Sequence, residues 1–261
     1  MALDGTRMSE KYLWAREDEA TRADAMADRS AGENFPVALR ILPAARRRHL
    51  MAIYSFARVT DDIGDEAPLA ARTGMLDELE ADLDRLNNGQ ARLPVIRALR
   101  PTICDLGVPA QLFADIISAN RQDQIVTRYE TFDELTAYCR LSANPIGRMV
   151  LHVFDAYSEE RGQLSDRVCT ALQLAEHWQD VAEDHRAGRI YLPGEDMREF
   201  GVAPADLAAP AASPALVRLM TFETARAREL LDEGARLVGT LRGAARLAVG
   251  GYVAGGRAAL A

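Results

Sequence analysis

Apolar side chains recur at steps of three and four along most of this 261-residue chain, while the two-residue alternation and β-branched runs that mark strands are scarce. Stripes of that period are buried by packing helix on helix, so the pattern admits an all-α fold and excludes a sheet-based one. Prolines at 36, 43, 68, 94, 101, 109, 145, 193, 204, 210 and 214, with Gly89, Gly107, Gly188 and Gly201, divide the stripes into about eight to ten helices. The spacing predicts helices over Ala44–Asp65, Leu69–Asn88, Val95–Leu106, Ala110–Asn120, Phe132–Tyr157, Asp166–Ala187 and Leu216–Leu241, with shorter pieces at both ends. The Ala- and Pro-rich stretch Gly201–Pro214 reads as a surface connection within one domain spanning residues 1–261.

Charge narrows the function classes. With 31 Lys and Arg against 39 Asp and Glu, the net charge is -8, which disfavours a nucleic-acid-coating role. Cys104, Cys139 and Cys169 are odd in number and form no C-x-x-C pair, so neither a disulfide framework nor a thiolate metal site is expected, and all three read as small buried apolar groups. The acid-bearing N-terminal stretch lacks the apolar core of a signal peptide, and no run approaches the ~18 apolar residues that would cross a bilayer. A cytoplasmic location is expected, with transient membrane-surface contact at most; the oligomeric state stays open.

Two acidic stripes stand out. In Asp61-Asp62-Ile63-Gly64-Asp65-Glu66, the helical repeat stacks Asp61 above Asp65 and brings Tyr54 and Arg58 within about 60° of them. Further on, Gln173, Glu176, Asp180 and Asp184 share another face within about 60°, with Glu183 turned away. Like charges at i and i+4 cost an isolated helix about 0.2–0.5 kcal/mol, so each pair calls for a cation or for full exposure to water. Helices that each present two carboxylates can hold hard cations through oxygen, and the absence of paired His or Cys favours Mg2+ over Zn2+. Mg2+ takes few protein ligands and completes its shell with phosphate oxygens, which makes a diphosphate ester the fitting guest, with Arg58 and Arg189 as fixed positive charge. Solvated helix ends are the bland alternative.

An ordered set of motifs is similar to the squalene/phytoene synthase family of head-to-head prenyltransferases: Asn34-Phe35 with Leu42-Pro43, Tyr54-x-x-x-Arg58-x-x-Asp61-Asp62-x-x-Asp65, Tyr138-Cys139, Leu172-Gln173 through Asp180-x-x-Glu183-Asp184, and Gly188-Arg189-Ile190-Tyr191-Leu192-Pro193. The resemblance implies an isoprenoid synthase-type helical bundle around a central cavity. Within the family, Glu33–Ala38 and Ser142–Arg148 most resemble the bacterial hydroxysqualene synthases of squalene and hopanoid biosynthesis. By that resemblance the chain takes presqualene diphosphate, ionises it, rearranges the cyclopropylcarbinyl cation and quenches it with water.

The same resemblance implies that Asp61, Asp65, Glu176, Asp180 and Asp184 carry Mg2+, that Asn34, Tyr54, Arg58, Gln173, Arg189 and Tyr252 bind substrate, and that Tyr138 lies near the leaving group or the cation. Tyr252 and Arg257 resemble a family pair that closes over the phosphates. Pro145 should bend or break its helix and free backbone carbonyls, and Asn144 with Tyr138 is expected to place the quenching water. The chain departs from a common family pattern at Glu176, where relatives often carry Asn, and at Gln179, where they often carry a basic residue. His177 reads as a core or carboxylate-bonded histidine. Condensation of two prenyl diphosphates to presqualene diphosphate or phytoene is the nearest rival activity, and a non-catalytic helical docking protein the rival from another class.

Overall fold

A computed structural model describes residues 42–261, and among these every element is helical apart from one isolated parallel bridge between Arg128 and Ile190. The all-α expectation holds. In chain order the helices are α1 (Ala44–Asp65), α2 (Leu69–Leu86), α3 (Pro94–Leu106), α4 (Gln111–Gln122), α5 (Phe132–Ser142), α6 (Asn144–Val153), α7 (Glu159–Gln179), α8 (Val181–Arg186), α9 (Gly194–Phe200), a 3-10 turn over Pro204–Ala208, α10 (Pro214–Gly234), α11 (Arg236–Thr240) and α12 (Gly243–Ala259). They form two compact units. One runs to Arg121 and includes Met149–Ala156; the other comprises Gln122–Arg148 and Tyr157–Ala261. Asn34, Phe35 and the Glu33–Ala38 motif lie outside the described residues.

In the first unit, α1 packs on α2 and α3 because their apolar stripes coincide. Ile53, Phe56 and Ile63 of α1, Leu76 and Leu79 of α2, and Ile96 and Leu99 of α3 are buried, and Phe56 meets Phe113 of α4 edge-on at 5.2 Å. Asp82 of α2 is wholly buried, yet its carboxylate accepts from the backbone N–H groups of Arg92 and Leu93 and pairs with Arg85 at 2.9 Å, so it closes the turn before α3 instead of standing unpaired. Cys104 departs from expectation. It is exposed on α3, whose inward positions are taken by Leu99 and Ile103, whereas Cys139 and Cys169 are buried; all three thiols are free.

In the second unit α7 is the central helix, packed along α10 and touched also by α5, α8, α11 and α12. The approach of α10 is close. A Cβ on Gly234 would lie 2.8 Å from the Val168 nitrogen and 2.9 Å from the Leu164 carbonyl oxygen, which only glycine avoids. Helix starts follow local chemistry: Thr131 and Glu134 form a reciprocal capping box for α5, Ser158 caps α7, and Ser213 caps α10 ahead of Pro214.

Three predicted spans resolve differently. The helix over Phe132–Tyr157 is two, parted at Ala143, because Pro145 has no N–H to give and crowds the carbonyl four residues back; the second piece stops at Val153, two residues before Asp155 turns left-handed at φ 53°. The helix over Asp166–Ala187 begins earlier, at Glu159, and breaks at Asp180, whose φ of -98° and ψ of 9° leave the helical region. The helix over Leu216–Leu241 is also two, α10 ending at Gly234 and α11 running from Arg236 to Thr240, and beyond it the Gly- and Ala-rich C-terminal piece makes a full helix, α12, with Gly256 packed against Leu172 and Leu231.

A buried ionic cluster ties α9 to α10. Arg226 reaches Asp196 at 2.9 Å and Glu223 at 3.4 Å, with its guanidinium over the rings of Phe132 and Phe222. Burial first, and Asp196 beside it, push the Glu223 carboxyl above its ordinary 4.5, so Glu223 keeps its proton beyond the usual glutamate range. A folded state that holds a proton more tightly than the unfolded chain is most stable below the ordinary glutamate range and loses that contribution as pH rises. Relative to the parent, the unfolding midpoint of Glu223→Gln is therefore expected to rise as pH climbs from about 4.5 toward neutrality, read by thermal scans at several pH values.

Candidate functional site

The first acidic stripe ends α1. Ile53, Phe56, Thr60 and Ile63 turn inward, which leaves Asp61 and Asp65 with water-accessible surface on the final turn. Asp61 is accessible yet crowded by protein. That crowding pushes its carboxyl up to about 6, with Asp65 adding repulsion, while the Asn120 amide, donating at 3.1 Å, and Arg58 act in the opposite sense. Arg58 is engaged locally: its guanidinium pairs with Asp62 at 2.8 Å and Glu66 at 3.4 Å. Tyr54 is half-buried on the same helix, two turns earlier.

The second stripe lies where α7 gives way to α8. Leu174, Ala175, His177 and Trp178 are buried; Glu176 and Asp180 are exposed and Asp184 half-buried. Although Asp180 leaves the helical region, the hydrogen-bond ladder passes through it, since its N–H donates to the Glu176 carbonyl at 3.0 Å and its own carbonyl accepts from Asp184 at 2.8 Å. The stripe is thus bent at its middle carboxylate. Glu183 is exposed on α8.

Beside this stripe stands a column of rings. After Gly188, at φ +86°, the chain returns along residues 127–130: Ile190 donates to the Thr127 carbonyl and Gly194 to the Tyr129 carbonyl, each at 2.9 Å. Tyr191 is thereby set among Tyr129 at 5.9 Å, Tyr138 at 6.0 Å and His177, whose ring stacks on it at 3.8 Å and 10°. The Tyr138 hydroxyl donates to Asp123 at 2.8 Å, and burial with that neighbouring carboxylate holds its titration well above 10. His177 is driven down to about 3 by burial, so its ring is neutral, and it meets the Gln173 amide at 3.4 Å.

These placements sort the expected site residues. Gln173, Glu176, Asp180 and Asp184 follow one another along one bent stripe, and Arg189, whose N–H donates to the Asp184 carbonyl at 2.8 Å, comes directly after it. Tyr138 joins through the ring column. Asn144 belongs elsewhere: it is buried, accepts from the Thr170 hydroxyl at 3.0 Å, and lines a groove of about 810 Å³ with Thr136, Arg140 and Arg167, whereas the Tyr138 hydroxyl bonds Asp123. Tyr252 sits near Cys169, which lies about three turns before Asp180, and Arg257 is paired with Asp232 at 2.8 Å. Sequence reading missed Asp123, Asn120 and the ring contacts of His177; Asn120 is 59 residues from the aspartate it serves, and no local spacing marks it.

The donor set suits a hard cation. Both stripes offer carboxylate oxygens, and the nitrogen donor among them, His177, is turned into its ring stack. Among the described residues no three His, Cys, Asp or Glu side chains gather closely enough to hold an ion by themselves. No helix among the described residues is long and apolar enough to cross a membrane.

A family model described as squalene/phytoene synthase matches residues 28–261. The chain is 36% identical over 213 residues to a hydroxysqualene synthase of Rhodopseudomonas palustris, covering 80% of this chain and 72% of that one. It is 32% identical over 226 residues to a phytoene synthase of Mycobacterium tuberculosis, covering 85% and 74%. Among solved structures, squalene synthase HpnC from Alicyclobacillus acidocaldarius superposes with a TM-score of 0.79 at 36% identity over 98% of this chain and 91% of that one. A dehydrosqualene synthase in complex with ligand does so with a TM-score of 0.80 at 26% identity over 97% and 86%.

Removing the Tyr138 acceptor should cost about 1–3 kcal/mol of stability in Asp123→Ala, because the hydroxyl is then left buried and unpaired, while Asp123→Asn, which keeps an acceptor oxygen, should cost less; chemical denaturation measures both.

Proposed function

Since the chain belongs to the squalene/phytoene synthase family, we propose that it converts presqualene diphosphate to hydroxysqualene with Mg2+ held by Asp61, Asp65, Glu176, Asp180 and Asp184. The observation that carries this reading is the pair of carboxylate stripes, each rising at a helix end from an otherwise apolar stretch. The choice of product is supported by relatives named hydroxysqualene synthase at 35–36% identity, against 32% for the mycobacterial phytoene synthases.

In the reaction, the ester C–O bond breaks and its electron pair leaves on diphosphate. The cyclopropylcarbinyl cation rearranges, a water oxygen bonds to carbon, and one proton is released. Mg2+ supplies Lewis-acid stabilisation of the charge that gathers on diphosphate. Arg189, beside the second stripe, adds fixed positive charge there, and Arg58, braced by Asp62 and Glu66, tempers the repulsion between Asp61 and Asp65. Tyr138 must not capture the cation itself. With its titration held well above 10 it stays a phenol, a far poorer nucleophile than phenolate, and the ring column presents π faces to positive charge. Asn34, Tyr54, Gln173 and Tyr252 complete the proposed substrate contacts.

Purified protein with presqualene diphosphate and Mg2+, without NADPH, should yield hydroxysqualene by mass analysis of the extract. Asp61→Asn and Asp180→Asn should each lower that turnover by about 100-fold or more without lowering the melting temperature. Presqualene diphosphate from farnesyl diphosphate, or phytoene from geranylgeranyl diphosphate, with inertness toward presqualene diphosphate, would replace this reading by the condensing one; no turnover of any prenyl diphosphate would point to a docking protein.

A further inference from the structure

We propose that His177 is a positioning residue that holds the ring of Tyr191, and through it the hydroxyl of Tyr138, in place beside the second acidic stripe. This deepens the function proposed above and rests on it. Tyr191 needs such a support. It lies in a seven-residue connection between Arg186 of α8 and Gly194 of α9, and the Gly188 turn within it has a backbone conformation that only glycine adopts without strain. Backbone bonds hold that connection at Ile190 and Gly194, but they leave the ring of Tyr191 to be fixed by what packs on its faces.

The face contact is His177. Its ring lies 3.8 Å from that of Tyr191 with only 10° between planes, far closer than the 5.9 and 6.0 Å of Tyr129 and Tyr138. His177 itself is immobile: it projects from the buried side of α7 between Ala175 and Trp178 and is 7% exposed. The contact therefore ties the Tyr191 ring to the central helix. From Tyr191 the restraint continues outward. The Tyr138 ring lies 6.0 Å from that of Tyr191, and its hydroxyl donates to Asp123, so tilting the Tyr191 ring would crowd the phenol that the proposed chemistry requires to keep its proton. On its edge His177 meets the Gln173 amide at 3.4 Å, a long contact that orients the ring weakly; the stack is the main restraint.

The role asks for a flat ring of this size and makes no use of protonation, so phenylalanine should replace histidine and alanine should not. In His177→Ala, kcat on presqualene diphosphate should fall by about 10- to 100-fold with KM within about twofold, as expected when reacting groups are misplaced without loss of substrate binding. Amide exchange over residues 188–193 should accelerate in the same variant. His177→Phe should keep kcat within about threefold of the parent and leave that exchange unchanged. Unaltered kcat and exchange in His177→Ala would overturn the proposal, as would a His177→Phe protein as impaired as the alanine variant, which would transfer the role to the ring nitrogen. Should the parent protein turn over no prenyl diphosphate, the function proposed above fails by itself, and the exchange measurement alone still decides whether His177 holds Tyr191.

Discussion

The burial of α7 is the constraint on which the second unit depends. A helix enclosed by α5, α10, α11 and α12 along most of its length has no freedom to rotate, so the few positions it leaves to water at its C-terminal end are assigned by packing. Gly234 sets that packing by letting α10 come within backbone distance of Val168. From the fixed end project Glu176 and Asp180 on the wet side and His177 and Trp178 on the dry side. The carboxylates are thus held by an apolar scaffold, in the way a metal or diphosphate site needs if its geometry is to survive without the ligand.

Both stripes meet the same electrostatic difficulty and answer it differently. At the end of α1, stacked like charges are offset by Arg58 and by the Asn120 amide, and crowding still raises Asp61. At the end of α7, the chain bends at Asp180, and the carboxylates stay solvated. At the first stripe the remaining charge favours a counter-ion, while at the second water already solvates the carboxylates, and the function proposed here supplies a cation to both.

Much of the fold was legible in the sequence. Ala44–Asp65 is helical over the span its period predicts, because Pro43 cannot sit inside it and its apolar stripe runs unbroken to Ile63. Pro145 marked a break for a steric reason that needs no tertiary context. The kink at Asp180 was not legible, since Gln, Asp and Val there fit a continuous helix equally well. Nor did helical spacing separate Asn144 from Tyr138: both flank the same proline, yet one bonds Thr170 and the other Asp123. Arg58 shared a predicted face with Asp61 and Asp65, but the pairs it makes are with Asp62 and Glu66, one helical turn and two turns onward.

The sequence by itself determined the helical class, the places where helices stop, and which carboxylates stand one turn apart, because period, proline and glycine act through the local backbone. Only the tertiary structure decided that Asn120 serves Asp61, that Asp123 accepts a hydrogen bond from the Tyr138 hydroxyl, and that His177 lies flat on Tyr191. Those contacts arise where elements distant in sequence are pressed together by apolar burial, and the identity of a side chain's neighbour across such an interface is not written in its spacing.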